Sequence, residues 1–216
     1  MSEETTTSRA IVIAVDGPAA SGKGTIARAL ARHFKLPHLD TGLLYRAVAL
    51  NLFRFGGDPG SEFEAMRACD ITSVSLDDPD LRSEIVGSIA SRISVYPSVR
   101  EKLLDRQSRF AGQAGGAVLD GRDIGTVIAP DADVKLFVTA SVEVRARRRI
   151  AELLSRGMPA HLEDVIIDLK ARDARDSGRE RAPLAQAKDA LLLDTSDMDI
   201  DQAVAAAIAL VEKKLG

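Results

Sequence analysis

The sequence predicts an α/β domain built on a five-stranded parallel sheet with helices on both faces. Three observations carry that expectation. Short apolar runs, β-branched or leucine-rich, alternate with longer stretches of helical periodicity. A glycine-rich loop, GPAASGKGT at residues 17–25, sits where the first apolar run ends and the first helical stretch begins. About 100 residues then separate the first two strong strands, far more than one crossover helix needs, so a helical sub-domain stands beside the sheet.

In chain order, residues 10–15 form the first strand and 23–34 the first helix, with a weaker strand at 37–39. Helical patterns follow at 43–55, 81–94 and 98–111. The turn FGGDPG at 55–60 ends the first of these, and GQAGG at 112–116 leads from the last into a strand at 117–119. Strands at 134–140 and 190–193 are almost wholly apolar, Lys135 and Thr139 apart, as expected of parallel strands covered on both faces. Helices at 142–156, 162–176 and 201–215 complete the alternation, and Ser177-Gly178 breaks the second of them. Right-handed crossovers place these helices on both sides of the sheet.

Composition narrows the function classes. The chain has 216 residues, 45% hydrophobic and 28% charged, with a net charge of −3, so electrostatic capture of nucleic acid is not expected. Aromatics are only 4% and tryptophan is absent, which argues against a stacking platform for single strands. The one cysteine, Cys69, permits no internal disulfide and fits a reducing, cytoplasmic setting, where it reads as a small hydrophobe. His33, His38 and His161 lack metal-ligand spacing. Residues 1–8 are polar and threonine-rich and read as a frayed tail, not a signal peptide. No apolar run reaches membrane-spanning length.

The loop is a P-loop, Gly17-x-x-x-x-Gly22-Lys23-Gly24-Thr25, with Pro18, Ala19, Ala20 and Ser21 between its glycines. Its glycines let backbone N–H groups turn inward onto phosphate oxygens, and the helix starting at Lys23 adds the positive end of its dipole. Lys23 reaches the β- and γ-phosphates, and the Thr25 hydroxyl is placed to ligate Mg²⁺. The expected occupant is a nucleoside triphosphate with magnesium. The loop alone does not distinguish a switch, a motor, an enzyme or an ATP-binding module without transfer. No guanine-reading Asn-Lys-x-Asp segment is present, and the chain is short for a motor.

A small-molecule kinase predicts arginines on mobile segments, because a planar guanidinium grips phosphate in a fork. DTGLLYR at 40–46 follows the weak second strand; Thr41 is placed to cap a helix and Arg46 to face an acceptor phosphate. DGRDIGT at 120–126 follows the third strand, at the carboxyl edge where open α/β sheets bind ligands. There Asp120 can hold a magnesium-bound water, while Arg122 and Asp123 point into the acceptor crevice. Arg145, Arg147, Arg148 and Arg149 cluster on the helix after the fourth strand. Arg172, Asp176 and Arg179 are spaced to share one helical face if the helix runs through Gly178. The two arginine clusters flank a glycine-containing turn, the pattern of a lid.

The sequence resembles the bacterial cytidylate kinases, nucleoside monophosphate kinases of the P-loop class, over nearly its whole length. The matching stretches are DGPAASGKGT, LDTGLLYR, LRSEIVGSIASRISVYPSVREKLLDRQ, LDGRDIGTVIAPDADVKLFVTAS and LKARDARDSGRERAPL. The resemblance implies a P-loop three-layer fold in one kinase domain. Its core is 10–40, 113–150 and 183–216, with an NMP-binding sub-domain at 41–112 and a lid at 151–182. It implies transfer of the γ-phosphoryl of ATP to CMP or dCMP with Mg²⁺. Arg46 and Arg122 then bind the acceptor phosphate, and Thr41, Ser91, Arg100 and Asp123 surround the cytosine. Arg172 and Asp176 approach the ribose and Arg179 the base, while Arg145, Arg148 and Arg149 lie against ATP. UMP is the nearest confusable acceptor, and a non-nucleotide acceptor would not need the base-reading set. A monomer is expected, because lid and acceptor sub-domain must swing freely. Family members carry a small antiparallel sheet in an insert; here 71–76 runs almost at once into 81–84, so that sheet is expected to be truncated.

Overall fold

The computed structural model describes residues 10–216; the polar tail at 1–8 lies outside them. Five strands, β1 (Ile11–Asp16), β2 (His38–Asp40), β3 (Gly116–Gly121), β4 (Val134–Thr139) and β5 (Leu191–Asp194), form one parallel sheet in the order β2-β3-β1-β4-β5. The α-helices among the described residues are α1 (Lys23–Phe34), α2 (Thr41–Arg54), α3 (Glu62–Arg67), α4 (Glu84–Ile93), α5 (Pro97–Ala111), α6 (Val142–Ser155), α7 (Leu162–Ser177) and α8 (Ile200–Leu215). The strand and helix alternation agrees with the expected one.

Side-chain alternation along the strands explains the layers. Ile13 and Val15 of β1 join Val118 in a core with Ile26 and Leu30 of α1 and Ala207 and Val211 of α8. Ala14, Ala117 and Leu119 face the other way, into a core shared with α2, α4 and α5. A third, smaller cluster joins Ala146 and Leu153 of α6 to Val165 and Leu169 of α7, against Ala19 of the phosphate loop. No helix among the described residues is long and apolar enough to cross a membrane.

Local chemistry sets the boundaries. Lys35, left-handed at φ 55°, ends α1, and an Asp199/Gln202 capping box starts α8. Four local readings need correction. The helix expected over 81–94 is a 3₁₀ turn (Pro79–Arg82) followed by α4, because Ser83 is extended and caps the Val86 N–H. Residues 71–76 form turns and no strand, so the small sheet is missing here and not merely shortened. Thr41 does not cap α2: it is the first helical residue, and its hydroxyl donates to the Asp120 carbonyl at 2.8 Å. Gly178 ends α7, so Arg179 lies beyond the helix. Two elements had no expectation: α3, started by the Ser61 cap on Glu64, and a π-helical turn at Ile124–Ile128.

Candidate active site

The carboxyl ends of β1, β2 and β3 meet at one edge, where Asp16 lies beside Gly121 and Asp40 beside Asp120. From that edge β1 runs into the P-loop, β2 into α2 and β3 into the segment carrying Arg122 and Asp123. The P-loop curls through three positive φ angles, at Gly17, Ala20 and Gly22. Gly17 is required by space as well as by φ: a Cβ there would stand 2.0 Å from the Val138 carbonyl oxygen.

Two clefts flank this loop. One, about 950 Å³, runs between the loop, Arg28, Arg148 and the start of α8. The other, about 250 Å³, lies between the loop and the α2, α4 and α7 walls. Lys23 and Gly24 line both, so the loop is the partition between two chambers. The smaller cleft gathers Thr41, Arg46, Ser91, Arg100, Asp120, Arg122, Asp123, Arg172, Asp176 and Arg179 from five separate elements. Seven cationic side chains and five carboxylates line it, an excess of two positive charges that matches a phosphomonoester dianion.

The cations are under strain from one another and from burial. Lys23 is pushed down to about 8, by burial first and by the Arg122 charge second. Arg172 falls to about 9 for the same two reasons, and its buried Nε has no partner. Burial also lowers Arg46, with Arg149 adding to it; Arg46 donates to the Leu81 carbonyl at 2.7 Å. A bound anion relieves all three.

A different network lines the far end of this cleft. Arg122 Nε donates to Asp176 at 2.7 Å, and Arg179 bonds the other Asp176 oxygen from beyond the helix end. Burial alone would raise Asp176, but Arg122, Arg179 and Arg172 together hold it below the usual carboxylate range. Arg100 pairs with Asp123 and stands over the Tyr45 ring, 5.7 Å from its centroid. Ser91 Oγ accepts from Arg175 at 3.2 Å and Ser94 Oγ from Arg179 at 3.0 Å, joining α4 to the α7 side.

Three of the four arginines of α6 part company. Arg145 is buried beneath the P-loop, bidentate to Asp173 at 3.1 and 2.7 Å and bonded to the Ala140 and Ala19 carbonyls; it lines neither cleft. Arg148 lines the larger cleft, with its donors on the Ser21, Thr195 and Met198 carbonyls and the Thr195 hydroxyl. Arg149 lies on the partition and pairs with Glu84 and Glu152.

Sequence reasoning passed over several partners. His38 Nε2 bonds Asp120 Oδ1 at 2.8 Å. Tyr45, one residue before Arg46, is half-buried in the cleft wall and its hydroxyl is pushed up to about 12, by desolvation against the opposing Arg100 charge. Asp173 and Thr195 hold Arg145 and Arg148. Asp16, buried at the end of an apolar strand, did carry a signal, since a carboxylate there demands donors. Asp16 finds them in the Ile124 and Gly125 N–H groups, each at 2.8 Å.

The family model of cytidylate kinase matches residues 13–213. The cytidylate kinase of Xanthobacter autotrophicus is 57% identical over 206 residues, covering 94% of this chain and 98% of that one. That of Acidiphilium cryptum is 55% identical, covering 96% and 98%. Among solved structures, an uncharacterised protein of Eubacterium ventriosum superposes with a TM-score of 0.57 at 13% identity, covering 94% of this chain and 98% of that one. Shikimate kinase of Bacteroides thetaiotaomicron superposes at 0.50 and 15% identity, covering 94% and 97%. These two likenesses speak to the fold alone, an α/β fold shared with a small-molecule kinase. The family match and the relatives, more than half identical along nearly all of their length, say more: this chain belongs to the cytidylate kinase family.

Proposed function

We propose that the protein transfers the γ-phosphoryl group of ATP to CMP or dCMP, giving ADP and CDP or dCDP. The observation that carries this reading is the pair of clefts meeting at Lys23 and Gly24. ATP lies in the larger cleft with its phosphates over the P-loop N–H groups. CMP lies in the smaller one with its phosphate toward Lys23, Arg46, Arg122 and Arg172. Phosphoryl transfer is mostly positioning and charge neutralisation, and these groups do both. No side-chain base is needed, because the attacking phosphate oxygen is already anionic at neutral pH.

Thr41, Ser91, Arg100 and Asp123 surround the cytosine, Arg172 and Asp176 the ribose, and Arg179 the base end. Arg149, on the partition, reaches the transferred group once it leaves Glu84. Arg148 and Arg145 serve ATP by holding the loop from the side and from beneath. Thr25 and Asp120 offer the hard oxygen donors that Mg²⁺ favours, and Asp120 Oδ2 lies 3.6 Å from a Cβ placed on Gly24, at the head of α1. When bound there, Mg²⁺ neutralises and orients the ATP phosphates. Thr25 would supply an oxygen donor to it, and Asp120, bonded to His38 at 2.8 Å, would hold it indirectly.

Residues 41–112 form the acceptor sub-domain and 151–182 the lid, closing over a core of 10–40, 113–150 and 183–216. Closure excludes water, the competing acceptor. The bonds of Arg175 and Arg179 to Ser91 and Ser94 support this reading, since they already span α4 and the lid. The enzyme works as a cytoplasmic monomer. The test is ADP release from Mg-ATP with CMP, dCMP, UMP, AMP or no acceptor. Strong stimulation by CMP and dCMP alone is expected. Equal stimulation by UMP or AMP overturns the base-reading set, and hydrolysis without acceptor at a rivalling rate overturns the closure.

A further inference from the structure

Asp16 is the last residue of β1, 4% exposed, and lines neither cleft. It has no direct route to either substrate, yet a buried carboxylate there is costly unless its bonds matter to something. Both oxygens are engaged: Oδ1 accepts from the Ile124 N–H and Oδ2 from the Gly125 N–H, each at 2.8 Å. Those are the first two donors of the π-helical turn Ile124–Ile128. Gly125 is the residue type that fits: a Cβ there would meet the Lys135 side chain at 3.0 Å and Asp16 Oδ2 at 3.4 Å.

The clamped turn directly follows Arg122 and Asp123, while the residue after Asp16 is Gly17 of the phosphate loop. We infer that Asp16 is a positioning residue that keeps the acceptor site in register with the donor site. By holding the Ile124 and Gly125 N–H groups it sets where Arg122 and Asp123 enter the acceptor cleft, one residue from the start of the P-loop. This rests on the smaller cleft being the acceptor site, as proposed above. The effect is directional. The donor cleft is walled by the P-loop, α6 and the start of α8, none of which hangs on the two amides. The acceptor cleft is not so independent, because Asp123 holds Arg100 and Arg122 holds Asp176.

The charged neighbours of the clamp are Asp123 and Arg122 on the same segment and Lys135 on β4, which itself pairs with Asp189. Burial raises Asp16 to about 6, with Asp123 adding to the rise and the two amides and Arg122 opposing it. The clamp is therefore mostly ionised at pH 7.5 and loosens as pH falls through about 6.

Titration calorimetry of the full chain tests this, with CMP for the acceptor site and ADP for the donor site, at pH 7.5 and 5.5. Asp16→Asn is near-isosteric, loses the charge and turns an amide NH₂ against one of the two N–H groups. Asp16→Ser, which keeps a single acceptor oxygen, stands in if the first variant does not fold. At pH 7.5 we expect CMP affinity to fall about tenfold, the scale of hydrogen bonds to a charged group, with ADP affinity within twofold. On going to pH 5.5 the wild type loses more CMP affinity than the variant; protonation of the CMP phosphate is common to both and cancels in the comparison. Unchanged CMP affinity, or equal loss for CMP and ADP, overturns the inference. If the wild type binds another nucleoside monophosphate in place of CMP, the substrate reading fails. The same two-ligand comparison with that monophosphate then decides the role of Asp16.

Discussion

Arg122 and Asp176 lie 54 residues apart in the chain and 2.7 Å apart in space, joining the tip of β3 to the last turn of α7. The bond ties the sheet edge to the proposed lid. Asp176 holds Arg179 as well, so one buried carboxylate keeps two arginines of the smaller cleft in place. Removing it leaves both without a counter-ion. Asp176→Ala is expected to cost about 3 kcal/mol of folding stability, read as a lowered denaturant midpoint, together with a raised KM for CMP.

The same carboxylate has a signed pH dependence. Its folded pKa is depressed below the usual value near 3.8, so its contribution to stability is present above that value. It is lost as pH falls through the depressed one. Wild type and Asp176→Asn should therefore converge in stability below about pH 4, measured by thermal unfolding across pH. A gap that stays constant down to pH 3 contradicts the pairing.

Lys23 titrates near 8 in the free protein, because burial and Arg122 oppose its charge. Phosphate needs the protonated form, so kcat/KM for ATP should fall as pH rises through about 8. Bound ATP raises the Lys23 pKa, so kcat should hold to higher pH. Lys23→Ala should lose about a thousandfold or more in turnover. Near-normal activity in that variant contradicts the loop assignment.

Gly17→Ala places a methyl group 2.0 Å from the Val138 carbonyl oxygen, against β4. Neither backbone can yield without moving a central strand of the sheet. The expected outcome is loss of ADP binding by calorimetry, accompanied by a lower melting temperature. Gly115→Ala, at a site with open space around it, is the control, since it carries only the strain of φ 89° and should bind ADP normally.

Asp123→Ala releases Arg100, which lies over the Tyr45 ring and lines the smaller cleft beside it. A site that reads a base by fixed hydrogen bonds discriminates strongly, and loses that when a fixed group is freed. KM for CMP should rise, and preference for CMP over UMP should drop more than tenfold. Unchanged discrimination removes Asp123 from base reading.

Much of the fold was legible because it rests on local rules. Short apolar runs, a P-loop spacing at a strand end and the glycine breaks at 112–116 and 177–178 depend only on neighbours in the chain. Element α3 escaped because six residues are too few to show a helical period, and only the Ser61 cap starts it. The π-helical turn escaped because its N-terminal donors are met by Asp16, 108 residues away.

The candidate site divides in the same way. The sequence by itself determined the residue types: a lysine on a bare loop, a surplus of arginines, and carboxylates at the ends of β1, β2 and β3. Only the tertiary structure decided which of them meet. The order β2-β3-β1-β4-β5 sets Asp120 beside both His38 and the P-loop and brings Asp16 to the turn after Asp123. It also separated three arginines that are near neighbours in sequence, sending Arg145 beneath the loop, Arg148 to the larger cleft and Arg149 to the partition. Periodicity reports which way a side chain leaves its own helix. The partner it meets depends on the elements packed against that helix, and these come from distant parts of the chain.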